Sequence, residues 1–415
     1  NQAQNVTWQG EGTTMTRTFS RLDPVTQQST YTETRTYTPL PFGLALTRMV
    51  LNAGSEFRTN TWGYYTNSTD QGYGKLKKFI AWNGKWNHHE YDAADRPART
   101  LAGYLNQAFT TNTNLCRAVT YDYTPLPAGS GDDPNHKRQT PRLQIEWLLG
   151  KEVRRTYRVE KPGESQLREC VTAQAAWNDA ANLVTTTKCV TTGAFAGQIA
   201  SVLSPDGTFA LYAYSTNGTK AITEMWHGQP NAGYTAVTNG TKTVTTITEA
   251  GQVESRAVYD TASGIKIDQT LYSQPDTLNR FQVATSLDNR STTDVYACCG
   301  LESSTDKDGV ITTYTYDALG RRASSTRLGI TTFYYNDVQG RPYLTYRQGT
   351  SGPAILLSGL AYDPWSRTRY RTNALGYVTT NLYFLDSSGQ MIVTNLSPNG
   401  ATRIETTALD GTLLK

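Results

Sequence analysis

Few residues in this chain have the types and spacing that chemistry requires. The five cysteines fall into three groups: Cys116 alone, Cys170 with Cys189, and the adjacent Cys298-Cys299. Asn178-Asp179-Ala180-Ala181 reads as a turn, and a hairpin centred there sets Cys170 opposite Cys189, with Val171 facing Lys188. Cross-strand Cβ atoms about 4.5–5.5 Å apart are within reach of a disulfide. Cys170–Cys189 is therefore a disulfide candidate, and two buried thiols are the alternative. Cys298-Cys299 occupies a turn in which adjacent thiols could bond only through a strained ring; local structure is the first reading there, and Cys116 is read as a lone buried thiol. His88-His89 lie on a strand whose neighbours point to opposite faces, so the two cannot hold one ion together. No His lies near Cys298-Cys299 to complete a metal set, and the expectation is no metal and no cofactor.

Nucleophile elbows, phosphate loops and Ser/His/Asp arrangements are not suggested by the sequence. Asp132-Asp133 lie in a loop and read as solvated turn residues rather than as facing glycosidase carboxylates. The expectation is a chain that is not an enzyme. Trp62, Trp82, Trp86 and Trp365 stand in Gly- or Asn-rich contexts, as sugar-stacking aromatics do, but tyrosines repeated on one strand face are first explained by cross-strand packing. Asn5-Val6-Thr7, Asn67-Ser68-Thr69 and Asn217-Gly218-Thr219 are glycosylation-type triplets of the kind a Thr-rich chain produces by chance.

The elements that would carry these residues are strands. The chain is rich in Thr, Tyr, Asn and Gly, with 26 Tyr, 11% aromatic residues and only 18% charged ones in 415 residues, a composition that suits pleated, half-buried surfaces. Lys and Arg number 39 against 35 for Asp and Glu, a formal +4, which is no nucleic-acid signature. Apolar stretches such as 354–357 fall far short of the roughly 20 residues of a membrane helix, so no membrane span is expected. The chain begins at Asn1 without a leader-like stretch, and is read as a processed form or a piece of something longer.

One segment shows the grammar of the whole. In Asp308-Gly309-Val310-Ile311-Thr312-Thr313-Tyr314-Thr315-Tyr316-Asp317-Ala318-Leu319-Gly320-Arg321, Val310, Thr312, Tyr314 and Tyr316 alternate with Ile311, Thr313 and Thr315. That is a strand of period two. Asp317 to Gly320 then reads as a hairpin tip built on a type I turn closed by a glycine, and Arg321 opens the return strand. A second copy runs through Tyr335, Asn336-Asp337 and Gly340-Arg341. Looser copies include Asp206-Gly207 to Asn217-Gly218, Asn289 to Gly300, Tyr362-Asp363 to Arg367, Gly376 to Gly389, and Gly84 through Tyr91-Asp92 to Arg96. In the copies at Gly207, Gly309 and Gly376 the second tyrosine follows the glycine by seven residues.

Tyr-x-Tyr-Asp-x-x-Gly-Arg, preceded by Asp-Gly and recurring near twenty residues, resembles the YD repeat of RHS proteins, the family of bacterial toxin-complex shells and teneurin-type extracellular barrels. The resemblance implies an all-β fold of repeated antiparallel β-hairpins coiling into an RHS-type spiral shell or solenoid. Tyr314, Tyr316, Asp317, Gly320, Arg321, Tyr335, Gly340, Arg341, Tyr362 and Asp363 would be the structural repeat residues. Toxin-bearing members end in a self-cleaving aspartyl site marked by Asp-Pro-x-Gly. Asp363-Pro364-Trp365-Ser366 matches it poorly and is followed by further repeats, so neither autoprotease nor cargo is read here.

Two regions follow. Residues 1–70, as in Thr30-Tyr31-Thr32-Glu33, are strand-like without the repeat grammar and are read as a capping or plug segment. Residues 71–415 are the hairpin array, with a loop insertion near 125–141 and a short helical piece expected from Arg99 to Phe109. The expected function is a non-catalytic structural protein, extracellular or at the cell surface of a bacterium, forming a shell wall or surface filament. Alternatives are a toxin-delivery shell whose cargo lies outside the chain, and a glycan-binding or adhesion module. Partners would be copies of itself end to end, other surface proteins, or polysaccharide, for which eight Arg between Asp317 and Arg371 offer a basic stretch.

Overall fold

Strand Ile311–Tyr316 alternates between exposed and half-buried side chains, with Thr312, Tyr314 and Tyr316 on the inner side. It pairs antiparallel with Arg322–Arg327, Thr312 opposite Arg327 and Thr315 opposite Ser324. The register slips by one residue between Thr315 and Tyr316. The same slip recurs at Glu90/Tyr91 and Ala361/Tyr362; each time the return strand carries one extra residue, and the second tyrosine of the motif pairs across the bulge with Arg322, Pro97 or Thr368.

A computed structural model gives the architecture and describes residues 4–9, 14–22, 29–53, 56–297, 300–337, 339–363 and 365–415. Among the described residues there are 31 strands, all in one sheet, and a single turn of 3₁₀ helix at Thr113–Leu115. Strands adjacent in sequence pair antiparallel, from Gln4–Gln9 with Met15–Leu22 to Met391–Leu396 with Thr402–Thr407. The chain is thus all-β, a succession of antiparallel hairpins, the class from which an RHS-type shell or solenoid is built. No described helix is long and apolar enough to cross a membrane.

The helical piece expected over Arg99 to Phe109 is not formed. Pro97–Ala102 is a strand that pairs with Trp86–Tyr91 on one side and Arg117–Asp122 on the other. Pairing on both edges outweighs the weak helix preference of so short a segment. Residues 29–64 form three long strands, Ser29–Leu40, Gly43–Ala53 and Glu56–Tyr64, that continue the same succession of pairs.

The chain divides into two compact units, one of residues 1–122, 144–154 and 332–415 and the other of residues 123–143 and 155–331. The first has a small core of Trp86, Leu101, Cys116 and Ala118, with Ile80 and Trp147 against it. The second buries Tyr157, Val159, Phe209 and Ala210. The chain exposes 23786 Å², whereas two compact globules of half its mass would together expose roughly 19,000 Å². Little of each strand is therefore buried in a conventional core, and hairpin-to-hairpin contacts must supply much of the order.

Candidate functional site

The recurring Asp-x-x-Gly-Arg tip closes on itself through one carboxylate. Asp317 Oδ1 accepts the backbone N–H groups of Leu319 (2.9 Å) and Arg321 (3.0 Å), and Oδ2 accepts Arg321 Nε at 2.6 Å. The Gly320 N–H donates to the Asp317 carbonyl. Gly320 holds φ at 74°, a conformation a side chain disfavours. Asp92 with Arg96, Asp337 with Arg341 and Asp363 with Arg367 repeat this arrangement. Burial pushes the Asp317 carboxyl up, but the Arg321 N–H and guanidinium outweigh it and hold the group below the ordinary carboxylate range.

A copy not recognised in the sequence lies at Asp276, whose carboxylate takes the N–H groups of Leu278 and Arg280 and the Arg280 guanidinium. Asn279 stands where the motif has Gly, at φ 60°. Asp95 and Ser366 fill the same place at φ 59° and 66°. The usable signal is Asp four residues before Arg, with a small residue tolerant of positive φ between them.

Successive hairpins are joined by the tyrosines. Tyr362 Oη donates to the Pro342 carbonyl at 2.7 Å while the Arg341 guanidinium lies 4.3 Å from its ring centroid. Tyr383 does the same with the Thr368 carbonyl (2.9 Å) and Arg367 (4.4 Å). Tyr316 donates to Leu301 O at 2.7 Å, Tyr91 to Leu76 O and Tyr214 to Ile199 O. At Gly300, with φ at 154°, an added Cβ would stand 2.8 Å from the Tyr316 hydroxyl. Each repeat arginine of this kind thus serves two hairpins, its fork on the aspartate of its own tip and its flat face on the tyrosine of the next. Such a site clamps, and its carboxylate is already neutralised by a guanidinium.

Near the C-terminus the first unit makes a contact that spans 305 residues of sequence: the Leu105 N–H donates to Asp410 Oδ2 at 3.0 Å, and the Asp410 N–H to the Leu105 carbonyl. Arg117 Nη2 reaches the same carboxylate at 3.2 Å. Leu409, buried, lies against Gly84 and Gly389, and its N–H donates to Asn106 Oδ1.

No family model and no curated protein matches the chain. Solved structures of TcdB2-TccC3 do resemble it. One lacking the hypervariable C-terminal region has a TM-score of 0.35 and 11% identity over 95% of this chain and 22% of that one. One of TcdB2-TccC3-Cdc42 has a TM-score of 0.40 and 10% identity over 97% and 23%. The chain therefore spans less than a quarter of those proteins.

Several candidates take other roles than the sequence suggested. Cys116, Cys170 and Cys189 form no disulfide. Glu164 pairs with Lys188 and Glu169 with Leu183, so the hairpin is centred near residue 176 rather than near 179–180. A shift of the centre displaces the opposite strand by twice as much. Cys189 lies beside Gly163 and Cys170 beyond the other end of the pair, roughly 20 Å away along the strands. The expected opposition of these cysteines is corrected accordingly. Cys298-Cys299 and Pro364 lie outside the described residues.

The 125–141 loop is organised by a buried ion pair, which overturns the solvated reading of Asp132. The side chains of Asp132 and Arg142 are 0% and 3% exposed and 2.8 Å apart. Asp132 also accepts from the Glu160 N–H at 2.8 Å, and Arg142 donates to the carbonyls of Asp133, His136, Lys137 and Thr140. Glu160, 2% exposed, takes Lys137 Nζ at 2.9 Å. The composition of the loop gave no sign of this, because burial of Asp132 depends on strand Lys151–Lys161 folding over it.

Trp86 is core, its indole N–H donating to the Gln107 carbonyl. Trp62 lies against Phe79, and Trp82 and Trp365 both lie over the Arg58 guanidinium at 4.0 and 3.6 Å. Burial lowers the pKa of His88, and of His89 likewise. Among the described residues no three His, Cys, Asp or Glu come together as a metal site.

Proposed function

We propose that this chain is a non-catalytic extracellular structural protein of YD repeats, of RHS type, whose strands form part of a shell wall. The observation that carries the reading is the double use of Arg341 and Arg367, each bound to the aspartate of its own tip and stacked on the tyrosine of the next hairpin. Motif residues held in this way fasten hairpins together and leave no activated nucleophile or base among themselves. Stability then grows by adding neighbours rather than by enlarging one core.

The return of Asp410 to Leu105 favours a wall over an open filament, because a series of strands that meets itself again has a defined extent. Negative-stain electron microscopy of the purified chain with small-angle scattering is the test. Discrete particles with a low-density centre are expected. Fibres that lengthen with concentration would replace this reading with the filament, and a solid globule would remove both.

A further inference from the structure

Alternate tips of a meander fall on the same edge of its sheet. In the second unit three of them, around 217–220, 248–252 and 275–281, crowd together where strand Lys220–Pro230 begins and strand Lys266–Pro275 ends. Between them lies a cleft of ≈ 660 Å³, within the range of small-ligand sites, about 300–1,000 Å³. Next to it is a depression of ≈ 280 Å³, and the two share Gln252, Tyr272 and Phe281. Tyr272 and Phe281 form an aromatic pair with centroids 6.1 Å apart, and Tyr272 is 36% exposed. Arg280 and Tyr296 also line the smaller depression, the guanidinium 4.4 Å from the ring centroid.

The polar lining has a definite character. The side-chain amides of Gln252, Gln274 and Asn279 make no hydrogen bond among the described residues, so each offers a donor pair and an acceptor. Lys220 is paired with Glu254 at 2.6 Å, and Glu249 adds a further carboxylate. Charge is therefore balanced or slightly negative, which disfavours a polyanion. Gln274 holds φ at 54° inside a strand, a strained conformation of the kind found at ligand sites, and it lines the larger cleft.

We propose that these two depressions form one groove that binds a neutral oligosaccharide, with sugar rings on the Tyr272 and Phe281 faces and hydroxyls on the three amides. Neutral sugars combine an apolar ring face with closely spaced hydroxyls that both donate and accept, and the groove presents those two features side by side. This inference is independent of the wall reading, since a groove on the sheet edge binds whether the strands enclose a particle or not.

The test is calorimetric titration of the whole purified chain with maltohexaose, cellohexaose and chitohexaose, with an alginate hexamer as the anionic control. At least one neutral hexasaccharide is expected to bind, and alginate is not. Tyr272→Ala should weaken that binding at least tenfold, while Tyr272→Phe stays within about threefold. Asn279→Gly, which suits the positive φ, should weaken it severalfold even if Tyr272→Ala fails to fold. No neutral sugar binding at millimolar concentration, equal binding of alginate, or unchanged affinity in both Tyr272→Ala and Asn279→Gly overturns the proposal.

Discussion

Replacing Arg367 with Ala removes the tip pair and the hairpin clamp together. Its fork reaches Asp363, 2.5 Å away, with side chains 23% and 10% exposed. A charge-assisted pair so screened from water contributes about 1–2 kcal/mol, between the exposed and buried limits. The stacking of its guanidinium on Tyr383 adds about 0.5–1 kcal/mol. The sum, about 2 kcal/mol, corresponds to roughly a thirtyfold change in a local opening equilibrium. In an array of hairpins the effect should stay local, so the assay is hydrogen exchange followed by mass spectrometry. Peptides covering strands Thr368–Asn373 and Val378–Leu385 should lose protection by that factor while strand Phe209–Asn217 is unchanged. Arg367→Lys, which keeps the charge and loses the fork, should fall between. A double-mutant cycle with Tyr383→Leu should give a coupling of about 0.5–1 kcal/mol. Unchanged exchange in Arg367→Ala, or a loss spread evenly over the chain, refutes the clamp.

Acid should loosen the array in two stages. His88 and His89 have pKa values lowered by burial, so the stability they contribute is present above about pH 6.5 and lost as pH falls through their folded values. The Asp276, Asp317 and Asp386 carboxyls are also lowered, and their contribution is lost only as pH falls below about 4. Urea midpoints measured from pH 7 to pH 2 should show both steps, and a midpoint that rises on acidification contradicts the assignment. Arg142→Ala strands the buried Asp132 carboxylate and should cost about 3–5 kcal/mol, seen as a lower melting temperature and new proteolysis within 125–141. Leu409→Ala should cost about 2–3 kcal/mol and raise exchange between residues 84 and 117, at the far end of the sequence. Peptide mapping without reductant should recover Cys116, Cys170 and Cys189 as alkylated thiols, and a Cys170–Cys189 peptide would refute the register of that hairpin.

What could be read from the sequence was local. Asp317, Gly320 and Arg321 interact within four residues, so their spacing reports the geometry directly, and the period-two burial of Ile311–Tyr316 follows the alternation of the residues themselves. The copy at Asp276 escaped because Asn279 supplies the positive φ that glycine supplies elsewhere. Cys170 and Cys189 were misaligned because the thirteen-residue connection from Cys170 to Asn182 holds several turns, and composition does not say which of them centres the hairpin. The Arg-rich stretch after Asp317 looked available to a polyanion, yet Arg321, Arg341 and Arg367 are held by their own tips. The seating of Asp132 on Glu160 and of Asp410 on Leu105 depends on distant segments meeting, for which a single sequence carries no local mark.

Strands that pair with their neighbours in sequence can form in the order in which the chain emerges, since each new hairpin needs only the one before it and closes a short loop. The seating of Asp410 on Leu105 obeys the opposite logic, because nothing can satisfy it until a segment 305 residues further along has been made. A chain cut before Asp410 would keep ordered hairpins but leave the Leu105 N–H and the Arg117 guanidinium without this carboxylate, and the segment around Leu105 open to proteases that the uncut chain resists.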